Sequence, residues 1–198
     1  MQRHYAVPNG TLALNGPISQ LFLSEGIQTY SQAVQRVHQL PYGRNSDRSA
    51  FDRIFEENRG TCSTKHAALA ALAQEQKLPV ELALIIGRLD RKLHPGCASL
   101  LERIDCEYLP EAHCFLQSPL GDCDISFPEQ SSVPRMKTLQ RYSIQPHEIG
   151  EAKERLHRKF LSKWMETEGI GSYTFNEVWS LREQWIQELT NPLPQASS

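Results

Sequence analysis

Three short segments of the chain bring together residue types that cooperate in thiol chemistry. Cys62 lies in RGTCSTKH, His113 lies in EAHCF and Asp124 lies in GDCDISF. A cysteine is nucleophilic as its thiolate, and an imidazole can take the thiol proton and later give it to a leaving group. A carboxylate beside the imidazole fixes its tautomer and stabilises its protonated form. The three residues therefore indicate a nucleophile, an acid–base group and an orienting group.

The segment that follows Cys62 predicts a helix with the thiol in its first turn. It is dominated by alanine and leucine, which are strong helix formers. The free amides and the dipole of a helix N-terminus lower a cysteine pKa and can hold an oxyanion. At 100° per residue, one inward-facing side of this helix carries five residues: Cys62, Lys65, Leu69, Leu72 and Ala73. The alternative is that Cys62 is a small buried residue of an alanine-rich core helix.

His113 and Asp124 are predicted to meet across a β-hairpin. Residues 104–117 and 122–127 have strand character, and SPLG at 118–121 is a turn between them. With the turn centred on the Ser-Pro pair, His113 and Asp124 are directly opposed. Opposed Cβ atoms lie roughly 5 Å apart, within reach of a His–carboxylate hydrogen bond.

The register of this hairpin decides which carboxylate meets His113. A shifted register would select Asp122, which lies on the same face, and Glu111 is a weaker candidate on the strand of His113 itself. The register that pairs His113 with Asp124 also places Cys114 opposite Cys123, on the other side of the sheet. We therefore favour Asp124.

The segments around the Cys62 helix and the hairpin predict fold class α+β. Residues 1–23 have the character of an irregular or partly stranded lead-in, and helical spacing of apolar residues follows over 24–39 and 47–57. The apolar, β-branched run at 80–89 predicts a buried strand, and 141–145 predicts one more. Helices therefore come first, and the Cys62 helix is expected to pack on an antiparallel sheet of about four strands.

The C-terminal part of the chain predicts two packing helices, one after Glu148 and one over 175–189. At 198 residues the chain is long enough to bury a sizeable core. We predict a single domain over 1–198, with its core at about 24–146 and a C-terminal helical extension at about 147–190.

The three chemistry-bearing segments resemble the transglutaminase-like superfamily, a papain-like fold with the chain order Cys, His, Asp. In that family the cysteine opens a helix rich in small residues, and a Gly-Ile-Pro-like step leads into a strand; KLPV at 77–80 is similar to this step. HCF at 113–115 corresponds to a His-Ala-Trp-like motif, and DIS at 124–126 to an Asp-Pro-Thr-like motif. The resemblance covers roughly residues 45–130.

The resemblance implies that Cys62 is the nucleophile, His113 the base and acid, and Asp124 the orienting group. It implies a thiol enzyme that acts on amide or peptide bonds of a peptide, a protein or a small amide, through a Cys62 acyl-enzyme. The acyl group would pass to water or to an amine, and no cofactor is expected. The alternative is a catalytically inactive transglutaminase-like binding or scaffold module, which the substitutions within both motifs favour.

Four polar residues near the expected site have open roles. Tyr42 and Asn45, in the turn LPYGRN, are candidates for a second oxyanion donor, although a turn needs such residues for its own geometry. Lys65 could favour the thiolate electrostatically, and His66 could tune the thiol or contact substrate. For both we favour a structural interpretation, as ordinary helix residues or as a buried, hydrogen-bonded histidine.

Composition narrows the function classes further. Apolar residues make up 39% of the chain and charged residues 22%, which is typical of a globular domain. The net charge of −2, with basic and acidic residues interleaved, argues against nucleic-acid binding. No apolar run approaches the ~20 residues of a transmembrane helix. Five cysteines without an export signal predict reduced thiols and a cytoplasmic setting.

A metal site is a further alternative for the cysteines. It would have to use Cys97, Cys106, Cys114 and Cys123 with His94. These residues contain no CxxC pair, which is the spacing typical of a structural zinc site. We therefore predict no metal site, and a Cys114–Cys123 disulfide is disfavoured in a reducing compartment.

Overall fold

The computed structural model describes residues 4–93, 98–128 and 136–188. Within these residues the chain forms seven helices and a four-stranded antiparallel sheet. The predicted α+β class is therefore confirmed. The helices are α1 (Pro17–Ser24), α2 (Tyr30–His38), α3 (Arg53–Glu57), α4 (Cys62–Glu75), α5 (Ala98–Arg103), α6 (Glu151–Glu168) and α7 (Phe175–Glu188). The strands are β1 (Glu81–Asp90), β2 (Tyr108–Ser118), β3 (Gly121–Cys123) and β4 (Lys137–Ile144), and a 3₁₀ turn at Pro146–Glu148 leads into α6.

The sheet has the order β3-β2-β1-β4, with β1 and β2 at its centre. These two strands pair along their whole length, from Glu81 with Gln117 to Asp90 with Tyr108. By contrast, the short β3 pairs only with the last three residues of β2. The edge of β2 that precedes Leu116 is therefore left open on this side, and it is the part of the strand that contains His113.

Helix α4 is the central element of the fold. Every residue from Cys62 to Ala73 is buried, because α1, α2 and α3 pack on one side of the helix and the sheet packs on the other. The expectation of a single inward-facing side is thus too narrow, since Ser63 and Thr64 are buried as well. A helix that carries small and apolar residues all round can be buried on every side.

The lead-in at 1–23 was expected to be irregular or partly stranded, but its second half is helix α1. Pro17 occupies the first turn of α1, where a missing N–H costs nothing. The carboxylate of Glu75, at the end of α4, accepts the amides of Ile18 at 2.9 Å and Ser19 at 2.6 Å. A carboxylate from a residue distant in sequence therefore caps α1, and local sequence patterns do not reveal such a partner.

The helix expected over 24–39 is shorter than predicted. It begins at Tyr30, after Gly26 has taken a left-handed conformation with φ +79°, and Thr29 is its N-cap residue. The Tyr30 hydroxyl donates to the carbonyl of Leu69 at 3.1 Å, which joins α2 to the middle of α4. The helix expected over 47–57 forms only as α3.

The two C-terminal helices pack on the sheet through a second hydrophobic cluster. Its members come from α6, α7, α5 and the paired ends of β1 and β2, and they include Leu89, Leu109, Leu161, Trp164, Val178 and Trp185. Helices α6 and α7 therefore lie at the same end of β2 as the open strand edge.

Candidate active site

Cys62 is the first residue of α4, and the turn before it is tightly packed. The amide of Thr61 donates to Thr64 Oγ1 at 3.0 Å, which fixes the start of the helix. A Cβ on Gly60 would lie 2.9 Å from both Lys65 Cγ and Thr64 Oγ1, so glycine is needed for this close approach. Because Cys62 opens the helix, its backbone N–H has no intrahelical partner.

His113 and Asp124 are brought together, although by a different register from the one predicted. His113 Nε2 lies 2.6 Å from Asp124 Oδ2. The strands pair Leu116 with Cys123 and Gln117 with Asp122, so Asp124 lies just beyond β3 and diagonal to His113. The register is offset by two residues because the two-residue loop consists of residues 119–120, one position later than predicted, and leads into Gly121, where φ is +123°. An offset of two keeps every side chain on its predicted face.

The same register overturns the predicted pairing of Cys114 with Cys123, since Cys123 faces Leu116 instead. The four cysteines that the structure describes, Cys62, Cys106, Cys114 and Cys123, are free thiols. The other two candidate ligands of the metal alternative, His94 and Cys97, lie outside the described residues. Within those residues, no group of three or more His, Cys, Asp or Glu side chains is arranged to hold a metal ion.

The two alternative carboxylates are engaged elsewhere. Asp122 accepts a hydrogen bond from the guanidinium of Arg141 at 3.1 Å. Glu111 forms a buried ion pair with Arg182, with a closest approach of 2.5 Å. Asp124 is therefore the candidate carboxylate that contacts His113.

The Cys62 thiol completes the chain of contacts. The Cys62 thiol lies against the ring of His113, which favours the thiolate by its charge and by hydrogen bonding; because Nε2 binds Asp124, the ring nitrogen left for the sulfur is Nδ1. The backbone amide of Cys114 also favours the thiolate and lowers the Cys62 pKa. This amide lies in the part of β2 that β3 does not pair with.

The electrostatics of this site favour a thiolate–imidazolium pair. Burial disfavours the Cys62 thiolate, but the charges of His113 and Lys153, with the hydrogen bonds to the sulfur, outweigh burial and lower the Cys62 pKa to about 6. Burial also disfavours the charged ring of His113, but Asp124 and Cys62 outweigh it and raise the His113 pKa well above its ordinary value. The same interaction with His113 overcomes burial and holds the pKa of Asp124 well below its usual range. The proton therefore resides on His113 at neutral pH.

His66 and Lys65 hold the Asp124 loop against α4. His66 contacts the Cys62 carbonyl through Nδ1 at 2.7 Å and accepts the Ile125 amide through Nε2 at 2.9 Å. Burial lowers the His66 pKa to about 4, so the ring is neutral. Lys65 donates to the carbonyls of Leu40 at 2.6 Å and Ser126 at 2.8 Å. Both side chains are fully buried and hydrogen-bonded, which fits the structural interpretation of His66, whereas Lys65 is not the ordinary helix residue that was expected.

Tyr42 and Asn45 differ in whether their side chains are available to donate a hydrogen bond to an oxyanion. Asn45 donates to the Arg59 carbonyl at 3.0 Å and accepts from Thr64 Oγ1 at 2.8 Å, so its amide holds the turn together. Tyr42 stacks on Phe127 with ring centroids 4.5 Å apart and lines the cavity beside Cys62. Burial and the charge of Cys62 raise its pKa well above the ordinary value, so the hydroxyl stays protonated and can donate.

A cavity of about 110 Å³ opens beside the Cys62 thiol, and the C-terminal helices form much of its wall. These helices were interpreted from the sequence as packing elements outside the site. They contribute Gly150, Lys153, Glu154, His157, Trp179, Arg182, Glu183 and Ile186. In the sequence, the indication that these helices reach the site was Glu111. It is an acidic residue within a predicted strand, and a buried carboxylate needs a cationic partner.

Comparison with known proteins finds no family model, no curated protein and no solved structure that matches this chain. None of the helices in the described ranges combines the length and apolarity needed to cross a membrane. The function must therefore be inferred from the geometry of the Cys62 site.

Proposed function

We propose that this chain is a cysteine-dependent enzyme that cleaves or transfers acyl groups at amide bonds, with the papain-like fold and chemistry of the transglutaminase-like superfamily. The observation that carries the proposal is the 2.6 Å contact between His113 and Asp124 beside the Cys62 thiol, whose pKa is lowered to about 6 by the charges of His113 and Lys153. A buried core cysteine has no need of such a partner, whereas a sulfur nucleophile depends on one.

In the first half of the proposed reaction, the Cys62 thiolate attacks the carbonyl carbon of an amide. A C–S bond forms, and the carbonyl oxygen becomes an oxyanion. When this intermediate collapses, the C–N bond breaks and His113 gives its proton to the departing amine nitrogen. The products of this half are a free amine and a Cys62 thioester, with His113 neutral.

In the second half, His113 takes a proton from water or from an acceptor amine as that molecule adds to the thioester carbon. Collapse of this intermediate breaks the C–S bond and regenerates the thiolate beside the imidazolium. Water yields a carboxylic acid and an amine yields a new amide, and the residues of the site serve both outcomes equally.

We assign the two oxyanion donors to the backbone N–H of Cys62 and the hydroxyl of Tyr42. The first is free because it opens α4. The second lies in the same cavity as the thiol and stays protonated. Donors held at fixed positions stabilise the charge that develops on the oxygen at little reorganisation cost.

The test is the pH dependence of iodoacetamide alkylation at Cys62, with adducts mapped by mass spectrometry. Cys106 serves as an internal control, because burial and nearby acidic groups raise its pKa. We expect a Cys62 profile with a midpoint near pH 6 that His113→Ala moves toward the ordinary thiol value of roughly 8.5. Alkylation of Cys62 that is no faster than that of Cys106 and indifferent to His113 would favour the inactive binding-module alternative.

A further inference from the structure

The cavity beside Cys62 is lined by many charged side chains, and most of them form ion pairs. Glu183 lies 2.8 Å from the guanidinium of Arg44 and 3.2 Å from that of Arg48. Arg182 pairs with both Glu111 and Glu183. The remaining acidic residue of the cavity wall, Glu154, pairs with Arg158 at 2.7 Å.

Lys153 is the exception among these charged residues. Its Nζ donates to the hydroxyl of Ser63 at 2.6 Å, and no carboxylate among the described residues lies within ion-pair distance of it. An ammonium group has three donors, so two remain for another acceptor. The side chain is half-buried on the wall of the cavity, where water can only partly replace such an acceptor.

The position of Lys153 places this unpaired charge beside the nucleophile. Ser63 Oγ, which accepts from Lys153, lies 3.9 Å from Cys62 Sγ. The ammonium and the sulfur are thus separated by no more than two short contacts. The charge of Lys153 acts with that of His113 to lower the Cys62 pKa, but the two free donors of its ammonium group still border the cavity.

We propose that Lys153 binds an anionic group of the acyl substrate, so that the preferred acyl donors carry a carboxylate close to the scissile carbonyl. This inference rests on the proposed function, because it names the substrate class of the same site. The carboxylate would occupy the free donors of Lys153 while the carbonyl carbon lies against the sulfur, since both groups border one small cavity.

Two alkylating reagents of nearly equal size test this charge preference without a known substrate. Iodoacetate carries a carboxylate next to its reactive carbon, and iodoacetamide carries a neutral amide there. The measured quantity is the ratio of their second-order rate constants at Cys62. Any change in the thiol pKa cancels in this ratio, because both reagents attack the same thiolate.

We expect Lys153→Met to lower the iodoacetate-to-iodoacetamide ratio by about tenfold, the size of effect that one partly screened charge at this range produces. Lys153→Arg keeps the charge and should keep most of the preference. Lys159→Met removes a lysine from an exposed position on the same helix and should leave the ratio at its wild-type value.

A ratio that stays within twofold of wild type in Lys153→Met would overturn the anion site. So would a loss of preference in Arg48→Met but not in Lys153→Met, because the charge at the cavity mouth would then be responsible. The proposed function fails by a different result, a wild-type Cys62 that reacts slowly with both reagents at pH 6. Even then the ratio remains measurable, so the two failures are distinguishable.

Discussion

Strand β2 carries two ionic sites two residues apart, a buried one at Glu111 and a partly exposed one at His113, and their partners differ in kind. Glu111 accepts two hydrogen bonds from the guanidinium of Arg182, at 2.7 Å and 2.5 Å. Burial would raise the Glu111 pKa, but Arg182 outweighs it and lowers the value to about 2. Both partners of this pair therefore keep a fixed charge at all moderate pH values.

His113 shares its charge instead with a group that titrates near neutrality, the Cys62 thiol. The proton can move between the two groups, or to a substrate, at small cost. The difference shows how one strand supports both stability and chemistry: a partner of fixed charge locks a helix to the sheet, whereas a titratable partner keeps a proton available for transfer.

The largest effect should come from breaking the fixed pair. Arg182→Met leaves a carboxylate buried without its partner, and we expect the free energy of unfolding to fall by about 3–5 kcal/mol, measured by urea denaturation. The double variant Glu111→Met with Arg182→Met should recover most of this loss, because no unpaired charge remains. A double variant as unstable as the single one would show that Arg182 acts through packing. The pH midpoint of Cys62 alkylation should stay near 6 in both.

The second prediction concerns the two buried neutral histidines, His66 and His157, whose pKa burial lowers to about 4. In the unfolded chain both titrate near 6.5, so between pH 6.5 and 4 the unfolded state binds more protons than the folded state. Stability should therefore fall as the pH falls through this window, by up to about 3 kcal/mol for each histidine. His113 has the opposite sign: its contribution is present below 6.5 and is lost as the pH rises through its raised pKa.

Urea denaturation at several pH values between 4 and 7 measures this slope. His157→Gln should reduce it, whereas His147→Gln, at an exposed position before α6, should retain the wild-type slope. An unchanged slope in His157→Gln would mean that this ring is protonated in the folded state.

The third prediction distinguishes stabilisation of the oxyanion from formation of the thiolate. Tyr42→Phe keeps the stacking on Phe127 but removes the hydroxyl, and we expect acylation of Cys62 by p-nitrophenyl acetate to slow by about a hundredfold. Alkylation by iodoacetamide should be unaffected, because displacement at a saturated carbon develops no oxyanion. Tyr142→Phe, on β4, is the matched control. Equal losses in both reactions would assign Tyr42 a role in forming the thiolate.

Much of this site could be predicted from the sequence, because the patterns that indicate it lie within short segments of the chain. The alanine and leucine residues after Cys62 predict α4, and the apolar run at 80–89 predicts β1. The contact between His113 and Asp124 survives an error of two residues in register, because side chains alternate with a period of two. The turn geometry at Gly121, which sets the register, was not evident from SPLG alone.

The rest of the site depends on contacts between residues far apart in sequence. Lys153 meets Ser63 across 90 positions, and Arg182 meets Glu111 across 71. Helical periodicity shows that α6 and α7 each bury one side, but it does not show which part of the fold covers that side. The part of the cavity wall that α6 and α7 form could therefore not be predicted from the sequence, although the site residues opposite it, such as Cys62, could.

The smallest expected effect concerns a choice that the sequence left open, between Asp122 and Asp124 as the partner of His113. Asp124→Asn keeps the shape of the side chain but removes the charge that stabilises the imidazolium of His113. The His113 pKa should then fall and the Cys62 pKa should rise, so alkylation at pH 6 should slow by about fivefold, which corresponds to a rise of one unit from a thiol pKa of about 6. The pH profile of iodoacetamide labelling measures the change.

Asp122→Asn is the matched control, since it makes the same chemical change at the neighbouring residue of the same face. Its carboxylate pairs with Arg141, so the wild-type alkylation profile should be retained. A loss in Asp122→Asn equal to that in Asp124→Asn would mean that the general negative potential of the hairpin, and not the 2.6 Å contact, supports the imidazolium. An effect confined to Asp124 would show that the proton on His113 is held by one carboxylate, which is the arrangement that distinguishes this site from the fixed pair at Glu111.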